Sequence, residues 1–249
     1  MDRFFHPAGL SRSTLSLDEA ESHHAARVLR KQPGDRVELF DGRGQSAIGE
    51  ITLAKKDRVE VRILELREPL VAPQPAIRLA VAPPKGDRFR WLVEKATELG
   101  IDQLIPLLTE RTVVEPGAGK LDKLQAAVVA ACKQSGRDLV MQVLENTPFA
   151  ELLVANRSAK GRAFAEQKPT HRPLLIGDPH GELFQPEMIP HGSGEVLLLI
   201  GPEGGWSDIE LEHATQAGAI RVRIADQILR TETAAIQLAG LCVWARSRG

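Results

Sequence analysis

Arg230, Thr231, Glu232 and Thr233 stand in a row within Ile228-Leu229-Arg230-Thr231-Glu232-Thr233-Ala234-Ala235, setting a cation, an anion and two hydroxyls at the mouth of a helix. A guanidinium so placed can stabilise charge that develops on a substrate oxygen, and a neighbouring carboxylate can take a proton or fix the cation. A second group precedes it: Leu199-Ile200-Gly201-Pro202-Glu203-Gly204-Gly205-Trp206-Ser207-Asp208-Ile209-Glu210. Its glycines permit positive φ and let a ligand come close to the backbone, while Pro202 stiffens the turn and removes one donor. Two backbone-rich turns close together in the chain predict one small-molecule cradle. A ligand-using enzyme is the leading reading, and a strand-to-helix connection without a ligand is its plain alternative.

The elements that must hold these turns follow from periodicity. Residues 196–200 are a continuous apolar run, as in a strand buried on both faces of a parallel sheet. Ser207 with Glu210 fits a capping box, which predicts a helix starting near Asp208 and ending before Gly218. Ile220, Val222 and Ile224 alternate as in a strand that Asp226-Gln227 breaks, and Thr231 is read as the cap of the last helix. On that helix, Ala235, Leu238, Ala239 and Cys242 share a side that is either core or a dimer face.

Upstream, Glu68-Pro69-Leu70-Val71-Ala72-Pro73-Gln74-Pro75 interrupts periodicity and predicts a boundary between domains at 1–72 and 73–249. Before it, residues 36–40, 45–53 and 58–66 read as strands, the first two joined at Asp41-Gly42, and Ser16 with Glu19 reads as a helix cap. That is a small β-barrel with a helix. After the boundary, strands at 77–82, 103–108, 141–144 and 174–176 alternate with helices. One of these carries Phe89, Leu92, Val93 and Ala96 on one face and stops at Gly100; another spans 120–135. The alternation predicts an α/β fold with a mostly parallel sheet.

Other chemistries lack their residues. Gly117-Ala118-Gly119-Lys120 fails as a phosphate loop at Val114 and at Leu121, and no G-x-G-x-x-G follows a strand. His23-His24 are adjacent rather than spaced to share a helix face, and no Cys/His set has zinc spacing, so no metal is expected. Cys132 and Cys242 fall in predicted helices as buried thiols. With no signal-peptide layout at the first residues and no apolar run of membrane-span length, the cytoplasm is the expected compartment. The chain carries a net charge of −1, and residues 1–72 hold 12 Lys+Arg against 12 Asp+Glu, so any RNA contact must be a local patch. Arg27, Arg30 and Lys31, with Lys55, Lys56 and Arg58, are the candidates, against the alternative of a solvated charged face.

The two turns resemble the signature loops of the ribosomal small-subunit methyltransferase E family, the 16S rRNA uridine-N3 methyltransferases of the SPOUT class. Further matches run in order along nearly the whole chain: His23-His24-Ala25-Ala26-Arg27-Val28-Leu29-Arg30, Leu39-Phe40-Asp41-Gly42, Glu94-Lys95-Ala96-Thr97-Glu98-Leu99-Gly100, Glu110-Arg111 and Cys132-Lys133-Gln134-Ser135-Gly136-Arg137. One step departs from the family, which usually has Gly-Pro-Arg or similar where this chain has Ala225-Asp226-Gln227.

The resemblance implies a trefoil-knotted α/β methyltransferase domain with a mostly parallel sheet, preceded by a PUA-like β-barrel that binds RNA. It implies S-adenosyl-L-methionine as cofactor, 16S rRNA within the 30S subunit as partner, and a homodimer. It places the cofactor on Leu199, Ile200, Gly201, Pro202, Glu203, Gly204 and Gly205 from one loop and on Ile228, Leu229, Arg230, Thr231 and Thr233 from the other, with Leu199 and Leu229 as apolar contacts for the adenine. Arg111 and Arg137 come with the family motifs as RNA-phosphate or target-positioning residues, with structural ion pairs as their alternative. Uridine N3 is a protonated imide nitrogen whose deprotonation spreads charge onto two carbonyl oxygens, and Arg230 is the expected catalytic partner of that charge. Glu232, the second catalytic candidate, is either the base, an anchor for Arg230 or a helix-end acid. A SPOUT enzyme acting on tRNA or large-subunit rRNA, and a non-catalytic RNA-binding protein, are the rival readings.

Overall fold

The computed structural model describes residues 1–67, 76–161, 173–190 and 194–248. The proline-rich stretch 68–75, on which the expected boundary falls, lies outside the described residues. The chain forms two compact units, Met1–Val71 with Val129–Val140, and Ala72–Val128 with Met141–Gly249.

The first unit contains β1 (Arg3–Phe5), β2 (Thr14–Ser16), α1 (Glu19–His23) continued by a π-helical turn at His24–Val28, β3 (Arg36–Phe40), β4 (Ser46–Lys55) and β5 (Arg58–Arg67). These strands form one sheet in the order β1-β3-β4-β5-β2, antiparallel except for β1 beside β3. Alternation along the strands turns Val37, Leu39, Ile51, Val59 and Val61 inward, where Phe4, Leu15 and Ala25 complete a dry core. Asp41 shapes the β3–β4 connection, its Oδ1 accepting from Arg43 N (2.7 Å) and Gln45 N (3.1 Å). The expected cap at Ser16 is displaced. Ser16 pairs with Glu60 in the β2–β5 ladder, so the helix starts later and Asp18 caps it by accepting from Glu21 N (2.8 Å).

The second unit runs through β6 (Ala76–Val81), α2 (Arg88–Leu99), β7 (Gln103–Leu108), α3 (Ala118–Ser135), β8 (Gln142–Val143), β9 (Thr147–Pro148), α4 (Phe149–Gly161), β10 (Leu174–Leu183), β11 (Glu195–Ile200), α5 (Asp208–Gln216), β12 (Ala219–Arg223) and α6 (Thr231–Arg246). The last turns of α3 cluster with the first unit. Every strand pair of this seven-stranded sheet is parallel, in the order β12-β10-β11-β6-β7-β8, with β9 on β7. Strand β6 therefore lies between β7, which follows it in sequence, and β11, which arrives much later. Such a reversal of strand order opens a crevice beyond the carboxyl ends of the strands, where ligands bind in open α/β sheets.

Both faces of the sheet are covered, as the apolar runs require. Ala80, Ile105, Leu107, Leu174, Ile176, Leu197 and Leu199 pack with Phe149, Leu152 and Leu153 of α4 and Ala214 of α5. Helix α6 packs against β6, β11 and α2. Its Ala235, Leu238, Ala239 and Cys242 are fully buried within the single chain, so that side is core rather than a dimer face. Gly100 ends α2 in the left-handed region at φ 91°, as a C-cap glycine does. Helix α4, strand β9 and the length of β10 have no counterpart in the sequence reading, which stops the β10 strand at Ile176.

Candidate active site

The glycine turn leaves the carboxyl end of β11 and closes on itself where Gly205 N donates to Pro202 O (2.9 Å), with Gly205 at φ 70°. Trp206 then pins it. The indole Nε1 donates to Gly177 O (2.9 Å), its ring lies against Phe149 (5.4 Å between centroids), and a Cβ on Gly201 would sit 2.9 Å from it. Glycine at 201 is thus required by a side chain packed on the backbone. The capping box forms as expected, with Ser207 Oγ accepting from Glu210 N (3.3 Å) and Glu210 Oε2 from Ser207 N (2.9 Å). Glu210 Oε1 also accepts from Glu110 N (2.9 Å), which joins the turn after β7 to the start of α5.

The second turn begins α6. Arg230, not Thr231, occupies the N-cap, with extended backbone (φ −65°, ψ 153°) and no side-chain capping bond. Thr231 is the first helical residue, and its hydroxyl donates instead to Gly201 O (3.2 Å), tying the two turns together. Among the described residues the Arg230 side chain makes no ion pair or hydrogen bond, and it is exposed. Ile228 is 87% exposed, Leu229 is half-buried and Thr233 is exposed. At the unusual step, Asp226 pairs with Arg223 at the end of β12.

Between these turns lies an open cleft of ≈ 280 Å³, walled by Ala82–Lys85 after β6, by Arg111, Val113 and Val114 after β7, and by Pro202, Glu203, Gly204 and Thr231. It occupies the crevice that the strand order predicts. Expected cofactor contacts divide sharply here. Pro202, Glu203, Gly204 and Thr231 face the cleft, whereas the Leu199 and Ile200 side chains are buried in the sheet core. Leu199 has no exposed side chain to lay against an adenine, and only the backbone at that strand end is available.

Two arginines take roles that composition and spacing did not single out. Arg111 Nη1 donates to Gly204 O (2.8 Å) and Trp206 O (3.4 Å), so this residue clamps the glycine turn. Arg88, absent from the sequence reading, pairs with Glu203 (2.6 Å) and Glu232 (3.4 Å), and the hydrogen bond it donates to Glu203 holds its guanidinium above the ordinary arginine value. Glu232 thereby anchors Arg88 rather than Arg230. Its second oxygen, Oε2, is buried without a partner among the described residues. A cation at the start of a helix that follows a strand is the signal that could have revealed Arg88, because such positions favour acids.

The remaining RNA candidates lie in the first unit. Arg27 is exposed on the π-helical turn, and Arg30 is exposed with a left-handed backbone (φ 53°) that a non-glycine residue seldom adopts. Neither side chain makes an ion pair among the described residues. Lys31 is engaged with Asp2 (2.6 Å), whose carboxyl its hydrogen bond holds below the usual value, and Arg137 is half-buried.

Known proteins share this architecture. Residues 72–243 match the RNA methyltransferase domain family and residues 17–64 the RNA methyltransferase PUA domain family. The ribosomal RNA small subunit methyltransferase E of Synechocystis sp. is 31% identical over 92% of this chain and 72% of its own length. That of Bacillus subtilis is 28% identical over 89% of this chain and 86% of its own. A crystal structure of the Neisseria gonorrhoeae ribosomal RNA small subunit methyltransferase E, bound to S-adenosyl methionine, superposes with a TM-score of 0.82 at 32% identity, covering 96% of this chain and 95% of that one. The fold is the α/β SPOUT methyltransferase fold with a PUA-like N-terminal domain, and the chain belongs to the ribosomal RNA small subunit methyltransferase E family.

Proposed function

We propose that this protein transfers a methyl group from S-adenosyl-L-methionine to N3 of a uridine in 16S rRNA. The observation that carries the reading is the cleft beyond β6, β7 and β11, where a glycine turn faces the start of α6 and Arg230 beside it stands exposed and, among the described residues, unpaired. Family membership supports the substrate class, and the bound S-adenosyl methionine of the gonococcal relative supports the cofactor.

The residues present fit that cofactor. Gly204 and Gly205 leave the turn without side chains where a ligand must approach, and Pro202, Glu203, Gly204 and Thr231 would hold it in the cleft together with the backbone of residues 199–205 and 228–233. When bound, S-adenosyl-L-methionine supplies a strongly electrophilic methyl group on a sulfonium sulfur. The protein's task is to align the nitrogen with that carbon. Uridine N3 lies on the pairing edge, so the base must be unpaired or turned out of its stack. Loss of the N3 proton puts negative charge on the flanking carbonyl oxygens, and Arg230 donates to them, which is worth about 3 kcal/mol for a well-placed donor. Glu232, with one oxygen on Arg88 and the other closed to solvent, anchors the site while the proton leaves to water.

Arg27 and Arg30 are the RNA contacts we assign to the first unit, with residues 1–72 as RNA-binding domain and 73–249 as methyltransferase domain. Lys31, paired with Asp2, and the half-buried Arg137 complete the RNA contacts we assign there. We take the protein to act in the cytoplasm as a homodimer, as its family resemblance implies; sedimentation velocity reads the dimer directly. A net charge of −1 offers little nonspecific attraction to bare RNA, so assembled 30S subunits are the preferred substrate. Counting labelled methyl on 30S subunits lacking the modification and on naked 16S rRNA tests this. Faster transfer to subunits is expected; equal rates refute the preference, and no transfer to either refutes the rRNA reading.

A further inference from the structure

Arg88 touches three segments that wall the cleft. Its Nε donates to Lys85 O (3.3 Å) in the turn after β6, its Nη2 meets Glu203 Oε1 (2.6 Å) in the glycine turn, and its Nη1 reaches Glu232 Oε1 (3.4 Å) in the first turn of α6. Lys85 and Glu203 themselves line the cleft, as does Thr231 beside Glu232. The position runs against local preference. Arg88 opens α2, whose first turn holds no acid, and a cation there opposes the positive end of the helix dipole. A residue that breaks a local rule is explained by what it does at longer range. Here that is the pair of carboxylates. Glu232 is nine-tenths buried with Oε2 already unpartnered, so losing Arg88 would leave a buried carboxylate without its counter-charge.

The ties act together on Arg230. Thr231 Oγ1 on Gly201 O joins the glycine turn to the start of α6, Arg88 joins the same two segments a second time, and it adds the turn after β6. Arg230 directly precedes Thr231 and Glu232, the two residues so tied, so its placement depends on that spacing.

We propose that Arg88 is a positioning residue for methyl transfer, a three-way tie that holds the turn after β6, the glycine turn and the start of α6 at the spacing the reaction needs. This rests on the reading of the cleft as the methyl-transfer site. A misplacement of about 1 Å costs such reactions about 100-fold. Arginine suits the task because its planar fork serves two carboxylates at once, whereas lysine offers a single point charge.

The test compares wild type with Arg88→Lys, Arg88→Gln, Glu203→Gln and the Arg88→Gln/Glu203→Gln double variant. Melting curves report folding, titration of S-adenosyl-L-methionine reports binding, and single-turnover and steady-state transfer to 30S subunits lacking the modification report rate. Arg88→Gln is expected to lose about 10- to 100-fold in kcat with KM for subunits unchanged. Arg88→Lys should fall between it and wild type, and Glu203→Gln should cost less in the Arg88→Gln background than alone. A purely structural arginine would lower the melting temperature and leave the rate per folded molecule unmoved. Folded Arg88→Gln with wild-type kcat, or strictly additive effects, overturns the proposal. If Arg88→Gln does not fold, a wild-type kcat in both Arg88→Lys and Glu203→Gln overturns it equally. Wild type that binds cofactor but transfers nothing overturns the reading of the cleft instead, and is distinguishable for that reason.

Discussion

Arg230 and Glu232 are two residues apart, carry opposite charge, and do different things. Adjacent opposite charges in sequence suggest a pair, yet the helix start separates them. Arg230 sits outside the first turn with an extended backbone and faces solvent, while Glu232 lies inside it, buried against Arg88. This division was not readable from the residues, since the partner of Glu232 is distant in sequence. Arg230→Ala is accordingly expected to reduce turnover by about 10²–10³, the loss typical of a missing charge-stabilising donor, with the affinity for S-adenosyl-L-methionine unchanged. Turnover at the wild-type rate would remove Arg230 from its role. The same separation governs Arg111. As part of a family motif it reads as an RNA ligand, and its Nη1 also donates to the carbonyls of Gly204 and Trp206, a tie that the motif does not announce. Cys242 shows the opposite case, in which composition alone suffices: its thiol is buried as expected, and burial pushes it up to about 12.

Among the elements, those announced by contiguous residues were legible and those decided by partners were not. The Ser207–Glu210 box names its helix because both capping partners lie within one turn. At the first helix the same rule picks Ser16, but the β2–β5 ladder takes Ser16 and hands the cap to Asp18. At α6 it picks Thr231, but Gly201 O captures that hydroxyl. In both cases a tertiary hydrogen bond outcompetes a local one. The strand at 196–200 is readable from its unbroken apolar run, whereas β9 is two residues long and gives no pattern. Ser207→Ala should cost about 1 kcal/mol as a lost N-cap. Glu210→Ala should cost more, because it also strips the acceptor from Glu110 N, a penalty of about 1–3 kcal/mol if that group finds no other. Denaturant melts of the two variants check the order; an equal loss would mean that the Glu110–Glu210 tie contributes nothing.

The molecule as a whole is two compact units, and the division of labour proposed for them makes a separable prediction. Among the described residues Arg27 and Arg30 are exposed and unpaired in the first unit, while every residue lining the cleft belongs to the second. Alanine at both positions should raise KM for 30S subunits and flatten its salt dependence by about one unit of slope per residue. The affinity for S-adenosyl-L-methionine should stay as it is. Loss of cofactor binding in that variant would show that the arginines support the fold rather than the RNA. The parallel sheet and its alternation with helices were readable from the chain, but the order β12-β10-β11-β6-β7-β8 was not, because strand runs carry no record of their neighbours. That order is what sets the glycine turn, the start of α6 and the turns after β6 and β7 around one cleft. Whether the cleft does the chemistry assigned to it is decided by incubating the protein with methyl-labelled S-adenosyl-L-methionine and 30S subunits lacking the modification, then digesting the 16S rRNA to nucleosides. Label in 3-methyluridine is the predicted result; label in any other nucleoside, or in none while cofactor binding is intact, would contradict the assignment.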